Sequence, residues 1–173
     1  MNKYLLIILF TFSCAHVFGQ SITINDLTNI SNLPNDEAHN YVVVGKGFKQ
    51  EYLQDVGGNT LEHLHKTGTD KKEESLIIGE GIKLSNGTIL RTVIYKSQTT
   101  QHLFNLITQA KNAGLKMNIQ GADAVNNIYM FDNNFFHIII LVNRDNTFGS
   151  VVVKQKEFLG FDWLADDRNY CLK

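Results

Sequence analysis

The chain has 173 residues, a formal net charge of −1 with neutral histidines, and 43% hydrophobic residues. This balance is typical of one globular domain that buries about two thirds of its surface on folding. The nearly neutral charge provides no basic field for nucleic acid or anionic lipid, so we expect no nucleic-acid partner.

Residues 1–19 predict a cleavable export signal. Lys3 is followed by an apolar run over residues 4–12, and the small residues Val17 and Gly19 follow it. The run is about half of the roughly 20 residues that a bilayer-spanning helix needs, so we expect no transmembrane helix. Cleavage before Gln20 predicts an exported protein that is periplasmic, bound to the cell envelope or secreted.

The two cysteines, Cys14 and Cys171, add a constraint on stability. Ser13 and Cys14 allow an alternative interpretation of the leader as a lipobox, with Cys14 acylated, although Phe12 is bulky for that motif. Both routes remove or acylate Cys14, so we expect no internal disulfide, and the fold must depend on its core.

The first half of the exported chain, residues 20–97, predicts two helices followed by strands. A short helix begins near Asn25 or Asp26 and ends before Pro34. A second helix follows the polar residues 35–37, which predict its cap, and stops at Gly47; the β-branched run 42–44 favours a strand instead. Alternating apolar segments then predict strands near 49–56, 60–66, 75–84 and 88–97, and Asn86-Gly87 predicts a type I′ hairpin turn.

The second half, residues 98–156, predicts one clear helix and four more strands. The helix, over residues 99–113, carries one apolar stripe and ends at Gly114. Its stripe consists of Leu103, Leu106, Ile107, Ala110 and Ala113. Strands are predicted at 115–120, 127–131, 135–142 and 148–154, and the nearly apolar segment 135–142 should be central and covered in part on both faces.

Helix followed by four strands therefore occurs twice, and residues 46–49 match residues 113–116 at the junction. This predicts an α+β fold and a tandem duplication, although one extra residue in the second helix is needed to bring the apolar faces into phase. Two helices with one apolar stripe each should pack on the same face of an antiparallel sheet and leave the other face open to water.

This order of elements resembles the β-lactamase-inhibitor-protein arrangement and, more loosely, the cystatin-like arrangement of a helix on a curved sheet. The segment 41–45, Tyr-Val-Val-Val-Gly, approaches the cystatin motif Gln-x-Val-x-Gly but lacks its glutamine and lies in a predicted helix. Cystatin activity is therefore not implied.

The C-terminal extension, residues 157–173, is rich in aromatic side chains. It contains Phe158, Phe161, Trp163 and Leu164. We expect these side chains to dock on the domain, because an exposed set of this size would promote aggregation. The alternative is that Phe161 and Trp163 contact a partner protein.

His63 and His65 are the nearest approach to a chemical site. Their spacing puts both imidazoles on one face of a strand, where Glu62 or Glu51 would have to complete a metal sphere. Two histidines are too few, so we expect no metal and no cofactor. No nucleophile elbow, zinc-protease helix or phosphate loop is present in the sequence, and we predict no catalytic residue.

The sequence thus favours an exported, non-enzymatic module that binds another protein through the open sheet face and its loops, as an inhibitor or immunity-type factor. Two alternatives stay open. One is a small metal-dependent or acid-base enzyme centred on His63 and His65, and the other is a carrier of a small apolar ligand held between helices and sheet.

Overall fold

A computed structural model describes residues 21–68 and 70–157, and in them three helices pack against one antiparallel sheet of eight strands. The predicted α+β class is confirmed. The predicted export signal, both cysteines and the extension from residue 158 onward, with Phe161 and Trp163, lie outside the described residues.

The helices and strands follow the predicted order along the chain. The helices are α1 (Ile24–Asn32), α2 (Asn35–Lys46) and α3 (Thr100–Asn112). The strands are β1 (Lys49–Val56), β2 (Asn59–Thr67), β3 (Glu73–Lys83), β4 (Ile89–Ser97), β5 (Lys116–Ala122), β6 (Asn126–Asp132), β7 (Phe136–Asn143) and β8 (Gly149–Gln155). None of these helices is long and apolar enough to cross a membrane.

The strand order in the sheet is β1-β2-β3-β4-β8-β7-β6-β5. Each half of the chain forms a four-stranded meander, and the two last strands, β4 and β8, pair with each other from Thr92↔Lys154 to Ser97↔Gly149. The prediction that residues 135–142 form the central strand is therefore wrong in position. β7 is an interior strand, but β4 and β8 occupy the centre because they join the halves.

The two halves share local geometry at the helix-to-strand junction. Gly47 and Gly114 both have positive φ, 74° and 75°, where a side chain would be strained. Three residues after each glycine the edge strand begins a bulge, between Gln50 and Tyr52 in β1 and between Met117 and Ile119 in β5. The common origin of the halves stays a prediction.

The first helix begins with a capping box. The Thr23 hydroxyl accepts from the Asp26 N–H (3.1 Å), and the Asp26 carboxylate accepts from the Thr23 N–H (2.8 Å). These contacts satisfy amide donors that the first turn leaves unpaired. Residues 35–37 do not cap α2 as predicted: Pro34 occupies that position, and no side chain caps the helix.

Between β3 and β4 the predicted hairpin forms, but the type I′ turn is wrong. Gly87 has φ of 87°, whereas Asn86 is not among the described residues with positive φ. The Gly87 N–H donates to the Leu84 carbonyl, and the Leu84 N–H donates to the Thr88 carbonyl. A three-residue loop with a left-handed glycine therefore replaces the two-residue turn, which needs positive φ at both central residues.

A buried polar cluster ties α1 to α2. Asp26 accepts from Lys46 Nζ (2.8 Å) and from the Tyr41 hydroxyl, and the side chains of Asp26 and Lys46 are each 9% exposed. Burial alone would raise the pKa of Asp26, but hydrogen bonds from Lys46, Tyr41 and Thr23 outweigh it and hold that pKa below its usual value. The hydrogen bond from the Tyr41 hydroxyl to Asp26 raises the pKa of Tyr41 to about 12.

Gly149 lets α3 approach the sheet closely. A Cβ at this position would overlap Leu103 Cδ1 on α3 and the Leu141 carbonyl oxygen on β7. Gly149 also pairs with Ser97 at the end of the β4–β8 ladder. A glycine is therefore needed where the helix crosses the joint between the two halves.

We expect Gly149→Ala to lower the free energy of unfolding by about 1–3 kcal/mol, because the added methyl overfills a packed contact. Gly121→Ala, at an edge-strand position with no heavy atom within 4 Å of the new Cβ, is the matched control and should be nearly neutral. Urea unfolding of both variants measures the difference. Equal midpoints would show that the close approach of α3 is absent.

For Asp26→Asn we expect a loss of about 3–5 kcal/mol at pH 7, because Lys46 is left charged and buried without a partner. The folded-state pKa of Asp26 is lowered, so its stabilising effect is present above about pH 4 and is lost as the pH falls through the folded value. The gap between wild type and variant should close in acid. Asp36→Asn, at an exposed position in the first turn of α2, is the control and should lower the free energy of unfolding at pH 7 by much less than Asp26→Asn does, as measured by urea unfolding.

Candidate functional site

The two faces of the sheet have different exposure. On β4, Val93 and Tyr95 point toward the helices and are 2% and 0% exposed, whereas Ile94 and Lys96 point to the other side and are half-buried. The same alternation runs along β3, β7 and β8. One face is closed by helices, as predicted, and we call the other the open face.

An unbroken row of cross-strand neighbours crosses the open face. Each pair in it is directly opposite in the register of adjacent strands, from β1 at one edge to β5 at the other. The row, here called the apolar row, consists of Tyr52, His63, Ile77, Ile94, Val152, Ile139, Met130 and Ile119. Its ends are the most exposed, with Tyr52 at 48% and Ile119 at 50%.

Polar side chains border the apolar row on both sides. Lys96 lies two residues beyond Ile94 on β4, and Lys154 lies two residues beyond Val152 on β8, in the opposite direction because the strands are antiparallel. We call these two residues the flanking lysines. Among the described residues, neither is within ion-pair distance of a carboxylate.

A cluster of three titratable side chains, Asp132, His137 and Lys156, lies on the open face toward the β5 edge. His137 Nδ1 is 2.9 Å from Asp132 Oδ1, and Lys156 Nζ is 3.4 Å from the same oxygen. Burial tends to raise the pKa of Asp132, but His137 and Lys156 outweigh it, and the net shift is downward. Asp132 is thus held ionised, with Lys156 and His137 as its neighbours.

His63 and His65 lie on the same face of β2, as their spacing predicts. The His63 ring stacks on Tyr52 at 4.1 Å between centroids, and His63 Nε2 is 3.1 Å from Gln54 Oε1. His65 Nδ1 is buried and has no hydrogen-bond partner among the described residues. His63 is therefore part of a stacked surface pair, whereas His65 makes no side-chain hydrogen bond through Nδ1 within that part of the chain.

The carboxylates proposed to complete a metal sphere do not join both histidines. Glu62 points to the helix face, where it contacts α2, because adjacent strand residues face opposite sides. Glu51, at the β1 bulge, lines a groove of about 380 Å³ with His65. Over residues 21–68 and 70–157, no group of three or more His, Cys, Asp or Glu side chains is arranged to hold a metal ion.

Sequence reasoning missed a histidine–carboxylate pair between α2 and the sheet. His39 Nδ1 lies 2.6 Å from Glu62 Oε1, at a groove of about 410 Å³ that is lined mainly by polar residues. This contact fixes the orientation of the His39 ring against β2. The two residues are 23 positions apart. Their contact could be predicted only by knowing that α2 packs against β2.

A second missed cluster lies beneath α3. His102 Nε2 donates to the Ile22 carbonyl (2.7 Å), and the Tyr95 hydroxyl is 2.9 Å from His102 Nδ1. Burial, followed by the nearby charge of Glu74, raises the pKa of Tyr95. These residues fasten the start of the described chain to α3 and β4, and their burial indicates a structural role.

Comparisons with protein-family models, with curated proteins and with solved structures find no match to this chain. Its function therefore has to be argued from its own residues, and the fold names suggested by the order of elements stay predictions.

We expect purified protein to contain no stoichiometric metal and its melting temperature to be unchanged by zinc, because no third ligand joins His63 and His65 in the part of the chain that the structure describes. If the protein had a zinc site, free zinc at roughly one hundred times the Kd would stabilise the fold by about 2.7 kcal/mol. Elemental analysis and thermal unfolding with and without zinc measure this. A zinc-dependent rise that His63→Ala or His65→Ala abolishes would show the prediction to be wrong.

Proposed function

We propose that this chain is an exported, non-enzymatic module that binds another protein through the open face of its sheet. The observation that carries the proposal is the apolar row. A half-exposed hydrophobic line bordered by polar side chains has the composition of an interface, with an apolar centre and a wet rim.

The dimensions of the open face suit a protein partner. Eight strands spaced about 4.8 Å apart extend for about 34 Å, and a strand of seven residues is about 23 Å long. The product, about 800 Å², is close to the area that each partner contributes to a standard interface. A small ligand would cover only part of such a surface.

Two further features support recognition of a specific partner. The flanking lysines lack carboxylate neighbours within residues 21–68 and 70–157, so a complementary acidic surface would be favourable against them and a basic one unfavourable. Export is proposed from residues 1–19, whose pattern predicts a signal cleaved before Gln20 or lipidated at Cys14. The role proposed for such a module is that of an inhibitor or immunity-type factor. Its partner would then be the protein whose activity it blocks.

The two alternatives have less support. An enzyme centred on His63 and His65 would need a carboxylate that both can share, and Glu62 faces away from them. A carrier of an apolar ligand would need an enclosed apolar cavity between helices and sheet, but the groove between α2 and the sheet is open to solvent and exposes polar groups of Asn35, His39 and Glu62 beside Leu53 and Ile78.

We expect immobilised wild-type protein to capture a saturable partner from envelope extract, and Ile94→Asp to weaken that binding by about 2 kcal/mol or more, roughly thirtyfold in Kd. Val44→Asp, at an 83% exposed position on α2, is the matched control and should bind normally. Titration of the captured partner against each variant gives the Kd values. The proposal fails if no saturable partner appears or if both variants bind alike.

A further inference from the structure

One corner of the open face carries a groove of about 380 Å³, where β2 and β4 end, β3 begins, and the loop before β8 approaches. We propose that this groove binds a zwitterionic small molecule, an α-amino acid with an apolar side chain. Lys96 holds its carboxylate and Glu73 holds its ammonium group. The volume is within the range of about 300–1,000 Å³ that small-molecule sites have. This binding does not depend on the proposed protein partner.

Strand register puts a short side chain between two long ones in this groove. Ser75 on β3 is directly opposite both His65 on β2 and Lys96 on β4, and all three line the groove. Since opposite residues have Cβ atoms about 4.5–5.5 Å apart, Ser75 leaves a depression about 10 Å wide between its two neighbours. The Ser75 hydroxyl is at the bottom, where it can donate to an oxygen of a ligand.

Glu73 occupies a fixed position next to this depression. It lies two residues before Ser75 on β3, so both side chains are on the open face. The Gln98 N–H donates to the Glu73 carbonyl (3.1 Å), and the Glu73 N–H donates to Gln98 Oε1 (3.1 Å). These contacts join the start of β3 to the end of β4. Glu73 is therefore a diagonal neighbour of Lys96, with Cα atoms about 7–8 Å apart.

The groove contains charges of both signs that are not paired with one another. Lys96, Glu73 and Glu51 line it, and none of the three makes an ion pair within residues 21–68 and 70–157. A simple anion would meet the two carboxylates, and a simple cation would meet the lysine. A ligand with one group of each sign makes a charge-assisted hydrogen bond at each end, and such bonds are stronger than neutral ones.

The distance between the two charges favours an α-amino acid. Its amine nitrogen and carboxyl carbon are bonded to the same carbon, so they are about 2.5 Å apart. With a charge-assisted hydrogen bond of about 2.8 Å at each end, the ligand spans about 8 Å, which is comparable to the diagonal from Lys96 to Glu73. Phe148, 41% exposed, offers an apolar surface to the ligand side chain. It also lines the next groove, of about 570 Å³, so a large side chain has room.

Titration of isotope-labelled protein with L-phenylalanine, followed by heteronuclear NMR, tests the site. We expect saturable shifts in the amide signals of Ser75, Lys96 and Gln98. Phenethylamine lacks the carboxylate and hydrocinnamate lacks the ammonium group. Both should bind roughly tenfold more weakly or worse, because each loses one charged contact.

Variants of the two charged residues test their roles. Lys96→Gln and Glu73→Gln should each weaken L-phenylalanine binding by roughly tenfold or more. Lys154→Gln is the matched control, because it removes the flanking lysine that lies on the other side of the apolar row, outside the groove. It should bind like wild type. Far-UV circular dichroism and the urea midpoint verify that each variant is folded.

The proposal is overturned if L-phenylalanine at millimolar concentration produces no saturable shifts, or produces them away from the groove. It is equally overturned if the two analogues bind as tightly as L-phenylalanine, or if Lys154→Gln weakens binding as much as Lys96→Gln does. None of these results involves a partner protein. Absence of partner capture with L-phenylalanine binding intact would count against the proposed function alone.

Discussion

The pairing of β4 with β8 is the constraint on which the rest of the structure depends. It joins two four-stranded meanders into one sheet and brings the buried residues Val93, Tyr95, Val151 and Val153 side by side beneath the helices. Each meander alone would offer a narrow apolar surface to the one or two helices of its half, and small cores are marginally stable. The joined sheet provides one continuous core for α1, α2 and α3.

The helical layer is fixed to that core by polar groups that are buried and paired. Asp26 and Lys46 lock α1 to α2, and His102 links the Ile22 carbonyl to Tyr95 on the sheet. Buried groups of this kind stabilise a unique arrangement only when their partners are present. They hold the helices on one face, and this asymmetry leaves the opposite face of the sheet uncovered by the described helices.

The sequence predicted part of the candidate site, and its errors have local physical causes. Period-two alternation placed His63 and His65 on one face correctly, but Glu62 was wrongly considered with them although it faces the helices. The His39–Glu62 contact was not predicted, because it depends on how α2 crosses β2. The type I′ turn failed because Gly87 alone adopts the left-handed conformation.

By itself, the sequence determined the order and approximate bounds of helices and strands, the stops at Gly47 and Gly114, and the alternation of each strand, since these depend on neighbours along the chain. Tertiary structure decided that β4 meets β8, which strand is central, and that eight separate side chains from Tyr52 to Ile119 line up in the apolar row. That row requires seven strand registers to agree, and register is set by contacts between distant segments, which periodicity does not encode.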